Sequence, residues 1–347
     1  MLKATVTKHS LIFKQAGGTS RGVLHEKPSW FLKVFDDKNP EVLGIGECSI
    51  IPHLSPDNLK EIESILYNIS KDVSAFRGAD LIEFPAVQFG LETALLDLKN
   101  KGQRILFPSE FTNRGKSIDI NGLIWMGSKK FMRTQVTEKI ENGFKCIKLK
   151  IGALNFEDEI EILKEIRKNF NAETIELRVD ANGAFAPDEA LEKLKRLSDF
   201  QIHSIEQPIN IGQFKKMAEL CRITPLPIAL DEELIGISDF AKKQKLLETI
   251  QPQYLILKPS LLGGLKKSEE WISLAEKHKI GWWVTSALES NIGLNAIAQW
   301  TYQLNNPMPQ GLGTGKLFIN NIPSPLNIKN AKLIYQPKIN WNLNSIS

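Results

Sequence analysis

The chain has 347 residues, of which 42% are hydrophobic and 24% charged, with a formal net charge of +4. This balance argues against a disordered polymer and a membrane span and allows a large core; length suggests about two domains, although a barrel takes roughly 250 residues as one unit. The small positive charge also argues against a nucleic-acid surface, because Lys242-Lys243-Gln244-Lys245 and Lys266-Lys267 fall in predicted helices without interleaved aromatics and read as solvated faces.

Residues 1–9 alternate polar and apolar, which predicts an edge strand and not the continuous apolar run of a cleaved secretory signal. Residues 2–13, 30–35 and 41–48 predict an antiparallel meander, followed by helices at 57–75 and 87–101. Together they predict an α+β capping domain over residues 1–105. In the second helix Phe89, Leu91, Ala94, Leu95 and Leu98 make an apolar face, and Glu92 and Asp97 are free to cap or pair. Between the first two strands, the glycine-bearing stretch 15–27 reads either as a mobile lid over a neighbouring site or as a plain hairpin connection, with Arg21 and His25 its substrate-facing candidates. Cys48, Cys146 and Cys221 are odd in number, widely separated and without metal-ligand spacing, so they read as buried thiols in a reducing cytoplasm.

From Ser117 strands and helices alternate. Strands are predicted at 118–123, 146–150, 176–180, 202–206, 228–231, 254–258 and 282–286, with a weaker one at 310–312. The clearest helix, 155–169, has Asn155 to cap it, acids in its first turn and basic residues in its last. Eight strand slots at roughly 25-residue repeats predict a closed α/β barrel over residues 106–320. No G-x-G-x-x-G follows a strand, so an open dinucleotide-binding sheet loses its main support. Residues 321–347, rich in Pro and Asn, are predicted to pack back on the capping domain.

Chemistry-bearing residues close these strands. From Lys150 the steps to Asp180, Glu206, Asp231 and Lys258 are 30, 26, 25 and 27 residues, one strand-plus-helix unit each, so all would converge in one barrel mouth. Asp180, Glu206 and Asp231 are hard oxygen ligands suited to Mg²⁺ or Mn²⁺, and three converging carboxylates call for a cation. Each acid alone reads equally well as a helix cap or an ion-pair partner; their common register favours the site. Lys148 and Lys150, two apart, point the same way from a strand, where a neighbouring ammonium and partial desolvation would depress a lysine pKa toward that of a general base. A lone Lys-x-Lys is ordinarily a solvated strand edge, and it gains meaning here from the three acids and from Lys258 on the opposite side. A divalent ion beside a lysine base is an arrangement similar to that of the enolase superfamily, where it serves to remove a proton beside a carboxylate.

Lys148-Leu149-Lys150, Asp180-Ala181-Asn182, Glu206-Gln207-Pro208, Asp231-Glu232 and Lys258-Pro259 resemble the muconate-lactonizing-enzyme-like branch of the enolase superfamily, and the likeness extends over nearly the whole chain. Gly44-Ile45-Gly46-Glu47-Cys48 and the stretch from Phe89 to Asp97 resemble its capping and linker signatures. The resemblance implies a (β/α)7β modified TIM barrel with an N-terminal α+β capping domain. Within the branch the chain is most similar to the o-succinylbenzoate synthase family, through Asn121-Gly122-Leu123-Ile124-Trp125-Met126-Gly127, Thr19-Ser20-Arg21-Gly22 and Gly311-Leu312-Gly313-Thr314. That likeness implies an Mg²⁺-dependent dehydration of 2-succinyl-6-hydroxy-2,4-cyclohexadiene-1-carboxylate to o-succinylbenzoate in menaquinone biosynthesis, with Mn²⁺ a substitute. It implies Lys150 as base and then acid, Lys258 as stabiliser of negative charge, Lys148 as the residue orienting Lys150, and Asp180, Glu206 and Asp231 as ligands. Among the adjacent acids Asp231, Glu232 and Glu233, register and motif select Asp231. Asn182, Arg178, Ser286, Gly311 and Arg21 carry over as substrate-binding or supporting residues, although Arg178 and Glu289 read better as salt-bridge partners.

The nearest rival reading is an N-succinylamino-acid racemase or a dipeptide epimerase, since the same two lysines can move a proton between the faces of a carbon. Dipeptide epimerases of the superfamily carry an Asp-x-Asp element where this chain has Ala287-Leu288-Glu289-Ser290. A non-catalytic metabolite-binding barrel predicts a damaged set of site residues, which the sequence does not have. A flavin or nicotinamide oxidoreductase would rest on the single glycine-rich turn Gly311-Leu312-Gly313-Thr314-Gly315. The partner expected is a small-molecule carboxylate, with no nucleic acid and no membrane; homo-oligomerisation is left open.

Overall fold

In the computed structural model, which describes residues 1–19 and 22–347, three long antiparallel strands build the amino-terminal sheet: β1 (Leu2–Thr19), β2 (Gly22–Asp36) and β3 (Asn39–Ser49). Period-two alternation sends Trp30, Leu32, Val34 and Cys48 to one face, where they pack on Ile62, Leu66 and Ile69 of helix Ile62–Lys71 and on Ala86, Val87, Leu91 and Ala94 of helix Pro85–Lys99. Helix Pro85–Lys99 lies so close to β3 that a Cβ on Gly46 would stand 1.8 Å from the Gly90 carbonyl oxygen, which only glycine allows. Asp97 in this helix accepts from the Ile45 N–H (2.9 Å) and pairs with Arg104. Glu92 accepts from the Leu265 N–H (2.6 Å), so it caps helix Leu265–Lys277 of the barrel and ties the two layers together.

The stretch 15–27, read from its glycines as a loop, is mostly strand. Gly17 pairs with Leu24 and Gly18 with Val23, after a register shift between Ile12 and Gly17. Glycine weakens a strand without forbidding it, and a long two-stranded ribbon tolerates it at such an irregularity. His25 is exposed, and Arg21 lies outside the described residues.

The barrel strands are short and nearly all buried, as parallel strands covered on both faces must be. After β4 (Ser117–Asp119) they are β5 (Gly122–Ile124), β6 (Cys146–Lys150), β7 (Glu176–Asp180), β8 (Ser204–Glu206), β9 (Ile228–Leu230), β10 (Tyr254–Leu257) and β11 (Gly281–Val284), with β5 to β11 hydrogen-bonded in sequence order. Residues in the predicted eighth slot close the ring: the Gln310 N–H donates to Asp119 O (2.8 Å) and the Gly311 N–H to Val284 O (2.8 Å). This is the (β/α)7β barrel beneath an α+β cap.

Two expectations are corrected here. The predicted strand 118–123 divides: β4 pairs with β13 (Lys332–Tyr335), which forms a hairpin with β12 (Leu326–Lys329), and meets the closing segment of the ring through Asp119 O, while β5 pairs with β6 within the ring. The carboxyl-terminal segment therefore pairs first with the barrel edge, and Ile346 at its end packs with Phe31 and Ile45 of the cap. Lys243, read as part of a solvated helix face, is buried in helix Phe240–Ile250 and donates to Lys267 O and Glu270 Oε2, each at 2.9 Å. Asn155 accepts from the Glu157 N–H (2.9 Å) at the start of helix Phe156–Asn169, and the cysteines are free and buried. Among the described residues no helix is long and apolar enough to cross a membrane.

Candidate active site

Strand register assembles the site. Lys150 stands opposite Asp180, and Asp180 opposite Glu206, on consecutive parallel strands, so three functional groups share one level of the ring. Asp231 follows β9 directly and Lys258 follows β10, extending the same level around the mouth.

The side chains interlock. Lys148 Nζ donates to Glu206 Oε2 (2.5 Å) and lies 3.0 Å from Asp180 Oδ2. Lys150 Nζ donates to Asp180 Oδ2 (3.0 Å) and to Asn182 Oδ1 (2.7 Å). Lys258 Nζ pairs with Asp231 Oδ2 and stands 3.9 Å from Glu206 Oε1. Asn182 adopts φ 45°, a left-handed conformation that asparagine tolerates, and its Nδ2 donates to Glu232 Oε1 (2.9 Å). Glu233 turns to Gln207 Nε2 (3.0 Å) and the Gly212 N–H (2.7 Å). Asp231, the first of the three consecutive acids, pairs with Lys258.

Electrostatics follow from burial among opposite charges. Burial would raise the Asp180 carboxyl, yet Lys148, Lys150 and Lys258 hold it well below the usual carboxylate range. Burial, and then the neighbouring Asp180, push Glu206 well above that range. Burial lowers Lys148, but Asp180 and Glu206 outweigh it and leave its ammonium above the ordinary lysine value. Asp231 and Glu206 do the same for Lys258. The expected depression of Lys148 is thus corrected: carboxylate partners within 3.0 Å outweigh desolvation.

Among the described residues no three acidic, histidine or cysteine side chains converge as a preformed metal cluster, since lysines lie between the carboxylates. The donor set nonetheless fits a hard divalent cation. Asp180, Glu206 and Asp231 are each 1% exposed, and Glu206 Oε1 is buried without a hydrogen-bond partner among the described residues. A buried carboxylate oxygen lacking a donor is suited to a cation.

A cavity of about 690 Å³ opens above these groups, with Lys148, Lys150, Asp180, Asn182, Lys258, Ser286 and Gly311 on its wall. Glu206 and Asp231 are not on the wall; they are reached through Lys148 and Lys258, which are. Ser286 Oγ shares a hydrogen bond with Thr314 Oγ1 (2.7 Å). A Cβ on Gly311 would stand 2.3 Å from Thr285 Oγ1, so that wall is bare backbone. Arg178 is not on the wall. It is buried, donates to Glu176 Oε1 (2.7 Å) and Pro309 O (2.9 Å), and stacks 4.2 Å over the Trp283 ring. Glu289 forms no ion pair among the described residues and instead accepts from Ser260 Oγ (2.5 Å) and the Ala287 N–H (2.8 Å). Sequence reading missed the apolar roof of Phe13, Leu24, Ile51, Leu54 and Trp125. Phe13 and Leu24 flank the glycine hairpin and carried a faint signal; Ile51 and Leu54 sit in irregular chain without a period.

Residues 132–333 match the family described as Enolase C-terminal domain-like. The chain is 44% identical to an o-succinylbenzoate synthase of Desulfotalea psychrophila (strain LSv54 / DSM 12343), over 96% of this chain and 98% of the relative. It is 22% identical to the L-Ala-D/L-Glu epimerase of Bacillus subtilis (strain 168), over 76% and 75%. Among solved structures, MenC from Desulfotalea psychrophila LSv54 superposes with a TM-score of 0.85 at 42% identity, covering 96% of this chain and 99% of that one. A muconate lactonizing enzyme from Pseudomonas fluorescens, at 19% identity and a TM-score of 0.79 over 99% and 97%, shares the fold.

Proposed function

This chain belongs to the enolase C-terminal domain-like family, and on that premise we propose that it is an o-succinylbenzoate synthase, a divalent-metal-dependent lyase that dehydrates 2-succinyl-6-hydroxy-2,4-cyclohexadiene-1-carboxylate. The observation that carries the reading is 44% identity across 96% of the chain to an o-succinylbenzoate synthase. The lysines and carboxylates of the mouth supply the chemistry it needs.

Asp180, Glu206 and Asp231 would hold Mg²⁺, with Mn²⁺ a substitute. Bound there, the ion would offset the negative charge that the substrate carboxylate takes on when the adjacent carbon loses its proton. Lys150, held by Asp180 and Asn182, takes that proton on Nζ and then gives it to the departing hydroxyl, which leaves as water while the ring becomes aromatic. Lys258 stays cationic beside Asp231 and meets the developing charge across the cavity from Lys150. Lys148 stays cationic too, clamping Asp180 and Glu206 and so fixing the group against which Lys150 is held. The apolar roof keeps water from the reacting carbon. A cytoplasmic location accords with the three free, buried thiols.

A second reading, racemisation of N-succinylamino acids, is favoured by one observation: Lys150 and Lys258 line a single cavity from separate strands, which suits exchange of a proton between two faces of a carbon. Dipeptide epimerisation lacks that support, because Glu289, the acid in the segment that would meet a substrate ammonium, is buried against Ser260 and the Ala287 N–H.

The test is conversion of the cyclohexadiene carboxylate by purified protein with Mg²⁺, followed by ultraviolet absorbance, with EDTA as control. Fast, chelator-sensitive conversion supports the synthase. No conversion by folded, metal-loaded protein rejects it and leaves the racemase to be tested by deuterium exchange into N-succinylamino acids.

A further inference from the structure

The capping sheet contributes a buried charge that the chemistry above does not use. Lys27, in β2, is wholly buried and donates from Nζ to Ser49 Oγ and to Leu288 O, the latter at 3.0 Å. Both acceptors are neutral. Burial pulls the Lys27 ammonium below the ordinary lysine value, and Glu47 and Glu289 oppose this through space, with no bond to Lys27 among the described residues.

Those two acids are engaged elsewhere. Glu47 accepts from Ser29 Oγ (2.9 Å), Ser290 Oγ (2.6 Å) and the N–H groups of Ser290 and Gly293 (both 2.9 Å), which caps helix Asn291–Gln303. Glu289 holds Ser260 and Ala287. An ammonium desolvated onto neutral partners costs stability that an apolar side chain of similar volume would not. Fold stability alone does not account for Lys27.

What Lys27 holds is unusual in its own right. Leu288 has φ 61°, the left-handed region, which a leucine occupies only where its surroundings impose it. Ser286, Ala287 and Leu288 form a wall of the cavity, and Leu288 packs with Leu11, Phe13 and Phe318 beneath the hairpin. The bond from Lys27 thus joins the root of the cap hairpin to the strained turn that shapes the pocket.

We propose that Lys27 is a positioning residue for substrate binding: by holding the Leu288 carbonyl it keeps residues 286–288 in the strained turn, so that the capping sheet fixes the wall of the cavity that Ser286, Ala287 and Leu288 form. That this wall meets the substrate rests on the synthase reading; the mechanical role of Lys27 does not.

Lys27→Met in the full-length, Mg²⁺-loaded enzyme tests it with two readouts. KM should rise by about tenfold or more, with kcat within about threefold and Mg²⁺ affinity unchanged. Amide hydrogen exchange over residues 284–290 should quicken by about tenfold or more, with the barrel helices unaffected. A lowered melting temperature with KM and local exchange intact, or activity lost in proportion to the folded fraction at unchanged KM, would overturn the proposal. Should the Met variant not fold, Lys27→Gln takes the same test. If the parent enzyme does not turn over the cyclohexadiene carboxylate, the synthase reading falls, and the exchange comparison still decides the positioning role.

Discussion

Lys148 reaches across an intervening strand to bond Glu206 at 2.5 Å, and on the way its ammonium lies 3.0 Å from Asp180. One cation on β6 therefore compensates acids on β7 and β8. Removing it leaves two buried carboxylates short of a partner, a change worth about 3–5 kcal/mol in comparable buried pairs. Lys148→Met should lose stability on that scale in urea denaturation with EDTA present, and Mg²⁺ should restore part of it, because a cation bound only by the folded state stabilises it. A loss below about 1 kcal/mol would mean that the carboxylates are compensated without Lys148.

Lys150 differs from Lys148 in its partners, one carboxylate and one neutral amide oxygen, and it stands on the cavity wall. It is the better placed of the two to exchange a proton with a substrate. Lys150→Ala should keep Mg²⁺ binding by calorimetry while turnover falls by about 10³-fold or more, within the range of about 10² to 10⁴ that removal of a general base costs. Near-normal turnover would transfer the base to another group.

Asp57 gives a pH dependence remote from the site. Its carboxylate accepts from the Ala86 N–H (3.0 Å) and the Val87 N–H (3.4 Å) at the start of helix Pro85–Lys99, yet burial raises its pKa to about 7. The folded protein thus holds this proton more tightly than the unfolded chain, whose carboxyl titrates near 3.8. Its stabilising contribution is complete below about pH 4, falls as pH rises toward about 7, and is level above that. Asp57→Asn keeps an acceptor and does not titrate. The stability of the parent relative to this variant, measured by urea denaturation, should decline between about pH 4 and 7; a constant difference would place the Asp57 pKa outside that window.

The spacing of Lys150, Asp180, Glu206, Asp231 and Lys258 was legible because each parallel strand delivers the residue at its end, or just past it, to the mouth of the ring, so that a ring becomes a sequence period. Depth within the ring was not legible. Arg178 has the same inward parity as Asp180, but lies one pleat deeper, where it meets Glu176 and Trp283 instead of the cavity. Nor did charge reveal that Lys243 and Lys27 are buried, since the acceptors that make burial tolerable, Lys267 O and Leu288 O, come from other parts of the chain. The hairpin stretch 15–27 misled for a related reason: its glycines signal a turn locally, and only pairing with the opposite strand keeps them extended.

Glu206 links the ion-pair network to the metal question. Its Oε2 is occupied by Lys148 while its Oε1 is buried without a hydrogen-bond partner among the described residues, so one oxygen serves the folded network and the other is suited to a cation. Glu206→Gln preserves the volume and an acceptor for Lys148 and removes the charge. It should therefore keep most of the stability of the parent in EDTA, in contrast to Lys148→Met, and lose most of the rise in melting temperature that Mg²⁺ produces. For the parent that rise corresponds to about 2.7 kcal/mol at a hundredfold excess of Mg²⁺ over its dissociation constant. A thermal melt of the two proteins across a Mg²⁺ titration reads the difference directly; an undiminished Mg²⁺ response in the variant would remove Glu206 from the ligand set and leave Asp180 and Asp231 to hold the ion.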